Sequence, residues 1–461
     1  MSVFKAYDIR GIAGSELDAE FSERLGRAIA THLDADCVSV VRDIRDSSPD
    51  YHEAFVRGLV TSGADVIDLG ISTTGVLYRS TVDLPVDVAV AITASHNPPE
   101  YNGFKICKGK MPLGGEELQE VRKTFEEGNF REGSGNYRIM DSYEETYCQS
   151  IVDSVGRISR DIRVVLDCGN AVPGPLAVKV LERLGVDVIP LHCDWDNSFP
   201  NHPPDPTRQE NMEDLGRAVL EHGAEFGIGM DGDGDRLGVV DENGSFIRPD
   251  RLMGIFVKEV LSDLPDTATE EQRTIFFDVK CSMALEEAIE ELGGVPKMVR
   301  TGHTFMKKEL RKFPSSPMAG EMSGHFFMND HWGGFDDSIY CAARLLSIIS
   351  KDSPPEQGGP KFSERFKFMP EYPTTDEGKV PLVGEREEVM GAVVSEFSDM
   401  PTSTVDGVRV RYDDGWYLCR PSNTEPILVM RAEGRNQEAL DHILSDVGRR
   451  IGDIVDLEKL K

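Results

Sequence analysis

Val164-Val165-Leu166-Asp167 is an apolar run that ends in a carboxylate. It is followed by a polar loop, an amphipathic helical pattern, a glycine and a second apolar run, Val186-Asp187-Val188-Ile189. A strand, a helix and a second strand in this order are typical of a right-handed βαβ crossover. The same pattern occurs twice more, from 38–43 to 66–70 and from 275–278 to 297–299. The sequence therefore predicts three similar α/β domains in tandem.

The C-terminal part of the chain follows a different pattern. Residues 352–360 are rich in proline and glycine, which is typical of a linker. Three strand-like runs and one helical period come after it, at 408–412, 416–420, 427–431 and 436–451. We expect a smaller α+β domain here. The predicted domains are 1–140, 141–245, 246–355 and 361–461.

Composition limits the class of protein. The chain has 461 residues, which is too long for one ordinary core, and 39% of them are hydrophobic. No apolar run approaches the roughly 20 residues that span a bilayer, and the first residues lack a signal-peptide hydrophobic region. The eight cysteines include no Cys-x-x-Cys pair, so we expect buried free thiols. These features predict a cytoplasmic protein with no membrane partner.

The formal net charge of −31 argues against a nucleic-acid partner, because phosphate backbones require clustered Lys and Arg. An acidic enzyme that binds anionic substrates needs local cations in its active cleft to reverse the field. Adaptation to high salt would also explain the acidity, since salt screens repulsion between like charges. Activity and melting measured against KCl would test that hypothesis, and indifference to salt would contradict it.

Two strand-like runs, 87–92 and 224–230, end at segments rich in polar groups. The second is followed by Asp231, Asp233 and Asp235, which are separated by glycines. Three hard oxygen ligands without His or Cys suit Mg²⁺. A plain acidic turn is the alternative.

The first run ends at Thr93-Ala94-Ser95-His96-Asn97-Pro98-Pro99, where two prolines stiffen a loop that exposes a hydroxyl and an imidazole. Chemistry in open α/β sheets gathers at the carboxyl ends of strands. Ser95 is therefore a candidate phosphoryl carrier held against the cation. Lys105 follows closely enough to place an ammonium at the same site, although it would also fit an ordinary solvated lysine.

Two further segments combine the chemistry expected for a sugar phosphate. Glu321, Ser323 and His325 lie between glycines and could grasp vicinal hydroxyls, with a capped helix start as the alternative. Arg420 lies beside hydroxyls and an amide in 420–426, which suits a phosphate clamp, although a plain turn would fit its two prolines equally well. We expect both segments to bind substrate.

Taken together, these segments resemble the α-D-phosphohexomutase superfamily over essentially the whole chain, and within it the bacterial-type phosphomannomutase/phosphoglucomutase group. The similarity rests on motifs at 6–11, 93–105, 231–236, 278–280, 300–303, 320–325 and 420–426, all in the family's order. It implies four domains around a central cleft. Residues 41–45 lack the glycines often found in the family's Gly-Arg-Asp-x-Arg segment, so we assign them no role.

The resemblance also implies roles for individual residues. Ser95 would be the phosphoserine and would bind one Mg²⁺ together with Asp231, Asp233 and Asp235. Glu321 and Ser323 would bind the O3 and O4 hydroxyls of the sugar. The remaining implied residues are the phosphate-binding Arg420, Ser422, Asn423 and Thr424, the cleft-lining Tyr7, Arg10, Lys280, His303 and His325, and the flanking Lys105 and Arg236. Lys105, His303 and His325 all stay candidates for moving the hydroxyl proton.

The implied reaction moves a phosphoryl group between O1 and O6 of a hexose phosphate through a hexose 1,6-bisphosphate, which also serves as activator. Mannose phosphate, and glucose phosphate as well, are the expected small-molecule substrates. The Gly-Glu-Met-Ser-Gly-His form differs from the Gly-Glu-Glu-Ser form of strict phosphoglucomutases and favours dual use. The alternatives are a phosphoglucosamine mutase and a metal-dependent sugar phosphatase. We expect a monomer or a dimer.

Overall fold

The computed structural model describes residues 3–5, 7–422 and 426–456. Within them the chain forms four sheets, three of mixed type and one antiparallel. None of the described helices is both long enough and apolar enough to span a membrane. All eight cysteines lie in the described residues, where they are free thiols, and all but Cys37 are buried.

The first sheet has seven strands in the order β1-β5-β4-β2-β3-β7, with β6 beside β5. Its central strand β4 is buried along its whole length, which suits a strand covered on both faces by helices. The elements are β1 (Ile9–Ile12), α1 (Ala19–His32), β2 (Cys37–Arg42), α2 (Ser48–Thr61), β3 (Asp65–Ile71), α3 (Thr74–Asp83), β4 (Val88–Ile92), β5 (Tyr101–Lys108), β6 (Met111–Pro112), α4 (Glu116–Glu127) and β7 (Tyr137–Ile139).

The second sheet has five strands in the order β12-β11-β10-β8-β9. The strands β9, β8 and β10 are parallel, and β11 returns antiparallel beside β10. The elements are α5 (Tyr143–Val155), β8 (Arg163–Asp167), α6 (Pro173–Leu184), β9 (Asp187–Leu191), a 3₁₀ helix (Gln209–Met212), α7 (Glu213–His222), β10 (Phe226–Met230), β11 (Leu237–Val240) and β12 (Phe246–Ile247).

The third sheet repeats the second, with the order β14-β13-β15-β16-β17. The elements are α8 (Pro249–Ser262), α9 (Glu270–Arg273), β13 (Thr274–Asp278), α10 (Met283–Glu291), β14 (Val295–Val299), α11 (His303–Lys312), β15 (Met318–Gly320), β16 (Phe326–Met328), β17 (Phe335–Asp336), α12 (Ser338–Ser350) and two 3₁₀ helices (Pro355–Gln357, Ser363–Phe366). In the first sheet, β3-β2-β4-β5 has the same order and directions as β9-β8-β10-β11 and β14-β13-β15-β16. The predicted repeat of three α/β domains is confirmed.

The fourth sheet is antiparallel, in the order β18-β22-β21-β20-β19, and two helices accompany it. The elements are β18 (Gly378–Pro381), α13 (Arg386–Glu396), β19 (Thr402–Ser403), β20 (Val408–Tyr412), β21 (Gly415–Pro421), β22 (Ile427–Gly434) and α14 (Gln437–Ile451). This is the predicted α+β domain, with a separate core around Tyr417 and Ile443.

The segment after the predicted linker differs from expectation. Phe362, Phe366 and Met369 belong to the large core that the first three domains share, and the Phe362 ring stacks on Phe226 at 4.4 Å. Apolar side chains just beyond the glycines and prolines cause this packing, because they bury area against α8 and β10. We infer that the fourth domain begins later than the predicted residue 361.

Candidate active site

Ser95 lies in the loop that follows β4, in the left-handed region with φ +52°. Its backbone N–H donates to the Thr93 hydroxyl at 2.9 Å, which helps to hold this costly conformation. Its Oγ donates to Asp231 Oδ2 at 2.7 Å and lies 3.0 Å from His96 Nδ1. The fold therefore joins the serine of the first domain to the acidic loop of the second.

The acidic loop, residues 231–235, is held from three sides. Gly232 packs against the serine loop so closely that a Cβ there would lie 2.2 Å from the Ser95 carbonyl oxygen. Thr74, at the start of α3, donates its N–H to the Asp233 carbonyl at 3.0 Å. Ser338, at the start of α12, donates its N–H to the Gly234 carbonyl at 3.0 Å. Elements of the first and third domains thus position a loop of the second.

Three buried carboxylates in this loop, those of Asp231, Asp233 and Asp235, offer oxygen atoms within 4.8 Å of one another. Asp233 Oδ1 and Asp235 Oδ1 are buried and accept no hydrogen bond from the described residues. Burial and the two neighbouring carboxylates raise the pKa of Asp231 well above its ordinary value. A divalent cation with oxygen ligands would satisfy these atoms, so the residues present fit Mg²⁺. A plain acidic turn would leave them uncompensated.

Lys105 lies on β5 with its ammonium group inside the acidic loop. Its Nζ is 2.7 Å from Asp233 Oδ2 and 2.5 Å from Asp235 Oδ2, and the side chain is buried. Burial alone would lower the pKa of Lys105, but Asp233 and Asp235 outweigh it and raise that pKa. Lys105 is therefore a charged ammonium held by two carboxylates of the acidic loop, which excludes the alternative of a solvated surface lysine.

Two histidines of the third domain stack beside the acidic loop. The rings of His303 and His325 are 5.6 Å apart, and the Tyr7 ring meets His303 edge-on at 5.4 Å. Arg236 Nε donates to His325 Nε2 at 3.2 Å, while His325 Nδ1 lies 3.2 Å from the Asp336 carboxylate. Burial lowers the pKa of His303 well below its ordinary value. His303 is consequently a neutral imidazole at pH 7.

Arg10 and Arg236 add positive charge to the same region. Arg10 pairs with Asp8 at 2.7 Å and donates to the Asn97 side-chain oxygen, which fixes it beside the serine loop. The Arg236 guanidinium lies 3.6 Å from the Asp205 carboxylate, and the Arg236 backbone N–H donates to Asp231 Oδ1 at 3.0 Å. These side chains supply the local cations that an acidic protein needs around an anionic substrate.

Glu321 and Ser323 lie in the turn between β15 and β16, so no helix starts here. The Glu321 carboxylate is buried and accepts a hydrogen bond from the Gly302 N–H. Leu237 N–H donates to the Gly324 carbonyl at 3.0 Å, which joins this turn to the strand that follows the acidic loop. The turn is therefore attached to the element that follows the acidic loop, and the binding roles of Glu321 and Ser323 stay predictions.

The residues predicted to form a phosphate clamp belong to the fourth domain. Arg420, near the end of β21, is buried and pairs with Asp406 at 2.7 Å. The same oxygen, Asp406 Oδ2, also accepts a hydrogen bond from the Thr301 N–H of the third domain at 3.0 Å. Ser422 N–H closes the β21–β22 hairpin on the Ile427 carbonyl at 2.8 Å. Asn423 and Thr424, also predicted to bind phosphate, lie outside the described residues.

Lys280 lies at the junction of the third and fourth domains. Its Nζ is 2.9 Å from Glu377 Oε1, and its backbone carbonyl accepts from Arg431 Nη1 at 2.6 Å. The Lys280 ammonium lowers the pKa of Glu377 to about 2. Both groups are thus charged over the physiological range, and Lys280 can face an anion that binds near Arg420.

Models of one protein family match the chain from end to end. Those described as phosphoglucomutase/phosphomannomutase alpha/beta/alpha domains I, II and III match residues 1–132, 142–244 and 248–372, and the corresponding C-terminal domain matches 373–449. The chain belongs to the phosphoglucomutase/phosphomannomutase family.

Individual members of the family are similar over nearly their whole length. Phosphomannomutase/phosphoglucomutase of Pseudomonas aeruginosa is 40% identical over 449 residues, covering 96% of this chain and 94% of that protein. Phosphoglucomutase of Neisseria gonorrhoeae is 39% identical over 453 residues, covering 96% and 95%. A crystal structure of a phosphoglucomutase/phosphomannomutase family protein from Burkholderia thailandensis has a TM-score of 0.90 at 37% identity, over 98% and 97% of the two chains.

These relatives confirm the predicted superfamily, and with it an isomerase that acts as a hexose phosphate mutase. They do not favour the phosphoglucosamine mutase or phosphatase alternatives. The exact roles of the predicted site residues stay predictions. Contacts in the structure link Ser95 to Asp231 and Arg236 to His325, and Asp406 joins Arg420 to Thr301.

Arg45 is one residue at the candidate site of this phosphohexomutase that sequence reasoning missed. It is buried and pairs with Asp43 at 3.0 Å. Its guanidinium donates at 2.5–3.0 Å to four carbonyls of the serine loop, those of Ser95, Asn97, Pro98 and Tyr101. One planar side chain thus sets the shape of the loop that presents Ser95. An arginine directly after a strand was the available signal, but only folding brings it to that loop.

Replacing Arg45 with methionine should destabilise the protein by about 3–5 kcal/mol, because Asp43 would be left as a buried unpaired charge. Turnover should also fall by about ten-fold or more, since the serine loop loses its support. The matched control is Arg57→Met on α2, which removes an exposed ion pair with Glu23 and should cost less than about 1 kcal/mol. Urea unfolding and steady-state kinetics measure both effects. Equal losses in the two variants would contradict the assigned role of Arg45.

The Glu321 carboxyl should make stability depend on pH. Burial, opposed in part by His325, raises its pKa from 4.5 to about 7. A folded-state pKa above the unfolded one means that this contribution to stability is fully present below pH 4.5 and is lost as pH rises through 7. The loss should be on the order of 3 kcal/mol.

Glu321→Gln removes the titrating group and keeps an acceptor for the Gly302 N–H. The variant should therefore gain stability relative to the unsubstituted protein between pH 5 and pH 8.5, as measured by urea unfolding. Glu53→Gln, at an exposed position, is the control and should leave the pH dependence unchanged. Parallel stability curves for Glu321→Gln and the unsubstituted protein would show that the Glu321 pKa is not raised.

Proposed function

We propose that the chain interconverts mannose 1-phosphate and mannose 6-phosphate, and also the glucose phosphates, by way of a phosphoserine at Ser95 and a hexose 1,6-bisphosphate. The observation that carries the proposal is the contact of Ser95 Oγ with Asp231, within a pocket that also holds the ammonium of Lys105. A hydroxyl at a buried carboxylate cluster suits phosphoryl transfer, whose chemistry depends on positioning and charge stabilisation.

In the forward step the bond between phosphorus and Ser95 Oγ breaks, and a bond forms to the free O1 or O6 hydroxyl of a bound hexose monophosphate. The hydroxyl proton passes to a base of the site, for which His303 and His325 remain candidates because Lys105 is already protonated, and Ser95 Oγ takes up a proton as it leaves. The resulting bisphosphate turns over in the cleft, and its other phosphate returns to Ser95 Oγ. The enzyme ends in its starting state, so phosphate is neither gained nor lost.

Charge on the transferring oxygens needs compensation at the moment of transfer. Lys105 stays protonated because of its carboxylate partners, and Arg236 and Arg10 are held nearby. Preorganised cations of this kind stabilise a transition state without reorganising. Mg²⁺ bound by Asp231, Asp233, Asp235 and an oxygen of phosphorylated Ser95 would add Lewis-acid stabilisation.

The substrate's other phosphate needs a separate site. Arg420 and Ser422 of the fourth domain, with the predicted Asn423 and Thr424, form that site in our proposal. Glu321 and Ser323 would bind sugar hydroxyls between the two ends. Because a turned sugar presents either phosphate to the clamp, the fourth domain should move about its contacts with the third during the cycle.

A product assay distinguishes the mutase from a phosphatase. The enzyme is mixed with mannose 1-phosphate, Mg²⁺ and a trace of hexose 1,6-bisphosphate, and the products are followed by phosphorus NMR. Mannose 6-phosphate should accumulate without inorganic phosphate, because the clamp retains the intermediate. Release of inorganic phosphate without the 6-phosphate would overturn the proposal. The same assay with glucose and glucosamine phosphates ranks the substrates.

Removing the metal should abolish turnover. Treatment with EDTA followed by desalting should lower activity to background, and added Mg²⁺ should restore it, because three clustered carboxylates repel one another and the phosphate without a cation. Full activity after metal removal, verified by elemental analysis, would contradict the proposed cation site. The predicted cytoplasmic location and monomeric or dimeric state stay predictions.

A further inference from the structure

A second group of metal-ligand side chains lies in the second domain, away from the acidic loop. Asp167 ends β8, His192 follows β9, and His202 lies in the long connection to α7. Their ligand atoms all lie within 4.8 Å of one another. The two imidazole rings meet edge-on at 5.6 Å. The topology thus brings two histidines to a buried carboxylate at one edge of the sheet.

The hydrogen bonds of His202 define where its protons are. Its Nδ1 lies 2.9 Å from the Pro203 carbonyl, which can only accept, so Nδ1 carries the hydrogen. In the neutral ring, Nε2 is then a lone pair that faces Asp167 Oδ2 at 3.0 Å. Two acceptors at this distance repel unless a cation is shared between them. The cation is either a proton on His202 or a metal ion.

His192 favours the metal. Its Nε2 is buried and makes no hydrogen bond to any described residue, although a buried imidazole nitrogen ordinarily has a partner. The carboxylate of Asp214 lies 3.6 Å from the same atom. A proton on His202 would satisfy His202 and Asp167 but would leave His192 Nε2 without a hydrogen bond among the described residues.

We propose that Asp167, His192 and His202 bind a second divalent cation of the borderline class, with Zn²⁺ as the best match. Two imidazole nitrogens with carboxylate oxygens are a ligand set typical of zinc. The acidic loop offers oxygen atoms alone and suits Mg²⁺. The two sites therefore differ in the metal that they select.

The position of this site gives it a consequence for the active centre. Pro204 and Asp205 come two and three residues after His202. The Pro204 carbonyl accepts a hydrogen bond from the Gly232 N–H at 3.1 Å, and the Asp205 carboxylate lies 3.6 Å from the Arg236 guanidinium. A metal that joins His202 to β8 and to His192 would stiffen the segment on which the acidic loop rests. The proposed cation therefore has a structural role and takes no part in the reaction.

Calorimetric titration of Zn²⁺ into the Mg²⁺-saturated protein tests the site. We expect one equivalent of tightly bound Zn²⁺ and binding at least about ten-fold weaker in His192→Gln, since one ligand is lost. His331→Gln, at an exposed histidine, and Asp231→Asn, in the acidic loop, should bind Zn²⁺ within about two-fold of the unsubstituted protein. Unchanged affinity in His192→Gln, or loss of the site in Asp231→Asn, would overturn the proposal.

A measurement on the unsubstituted protein does not depend on how a variant folds. Co²⁺ replaces Zn²⁺ and reports its coordination by visible absorption. Intense bands of four-coordinate Co²⁺ in the presence of excess Mg²⁺ would support the site. Only the weak bands of six-coordinate Co²⁺ would show that His202 and Asp167 form an ordinary ion pair.

Discussion

Replacing Ser95 with alanine should lower kcat by at least about 10³-fold, because no other group can carry the phosphoryl between the two ends of the sugar. The Ser95 hydroxyl is buried and lies 2.7 Å from Asp231 Oδ2, so its loss removes the phosphoryl acceptor and leaves the three carboxylates of the proposed cation site in place. A coupled assay that detects glucose 6-phosphate formed from glucose 1-phosphate measures the effect.

Two controls separate the loss of chemistry from the loss of fold. Ser95→Ala should still bind hexose phosphate, since Arg420, Ser422 and Glu321 are untouched, and calorimetry would show this. In any preparation whose Ser95 is phosphorylated, the substitution removes the phosphate together with the hydroxyl oxygen. The intact mass should then fall by about 80 Da beyond the mass of that oxygen. Turnover within ten-fold of the unsubstituted enzyme would mean that Ser95 is not the phosphoryl carrier.

Replacing Gly232 with alanine should produce the second-largest effect, a fall in kcat of at least about 10²-fold. The new Cβ would lie 2.2 Å from the Ser95 carbonyl oxygen, a distance that no real contact allows. The serine loop and the acidic loop must therefore move apart. The Ser95 backbone cannot shift to relieve this contact, because Arg45 already donates a hydrogen bond to the same carbonyl oxygen.

The chain offers a matched control for this substitution. Gly391 is an exposed residue of α13 with open space around its Cβ position, so Gly391→Ala should leave activity unchanged and add up to about 1 kcal/mol of stability. Calorimetry should show a lower affinity for Mg²⁺ in Gly232→Ala and an unchanged affinity in Gly391→Ala. Full activity in Gly232→Ala would show that Ser95 and the acidic loop do not act as one site.

Much of the fold follows from local patterns. The predicted strands at 38–43, 164–167 and 275–278 correspond to β2, β8 and β13, because period and β-branched composition are local properties of the chain. The C-terminal strands and helix were predicted for the same reason. The linker was a harder case, since a Pro-Gly segment indicates a break in regular structure but does not say which core the next apolar side chains join.

The site divides in the same way. Ser95, Lys105 and the three aspartates could be named because each stands in a compact motif whose chemistry is visible in a few neighbouring residues. Arg45, Asp336 and Asp406 could not, because their roles lie in tertiary contacts with Ser95's loop, His325 and Arg420, none of which is a near neighbour in the chain. A lone charged residue beside a strand carries no local sign of its partner.

Local sequence was thus enough for the types of elements, the three-fold repeat and the choice of candidate reacting groups. The pairing of Ser95 with Asp231, the enclosure of Lys105 by two carboxylates and the grouping of His192 with His202 and Asp167 depend on the folded chain. The physical reason is range. Propensity and periodicity act over a few residues, whereas these contacts arise where separate strands end side by side and close packing forces their loops together.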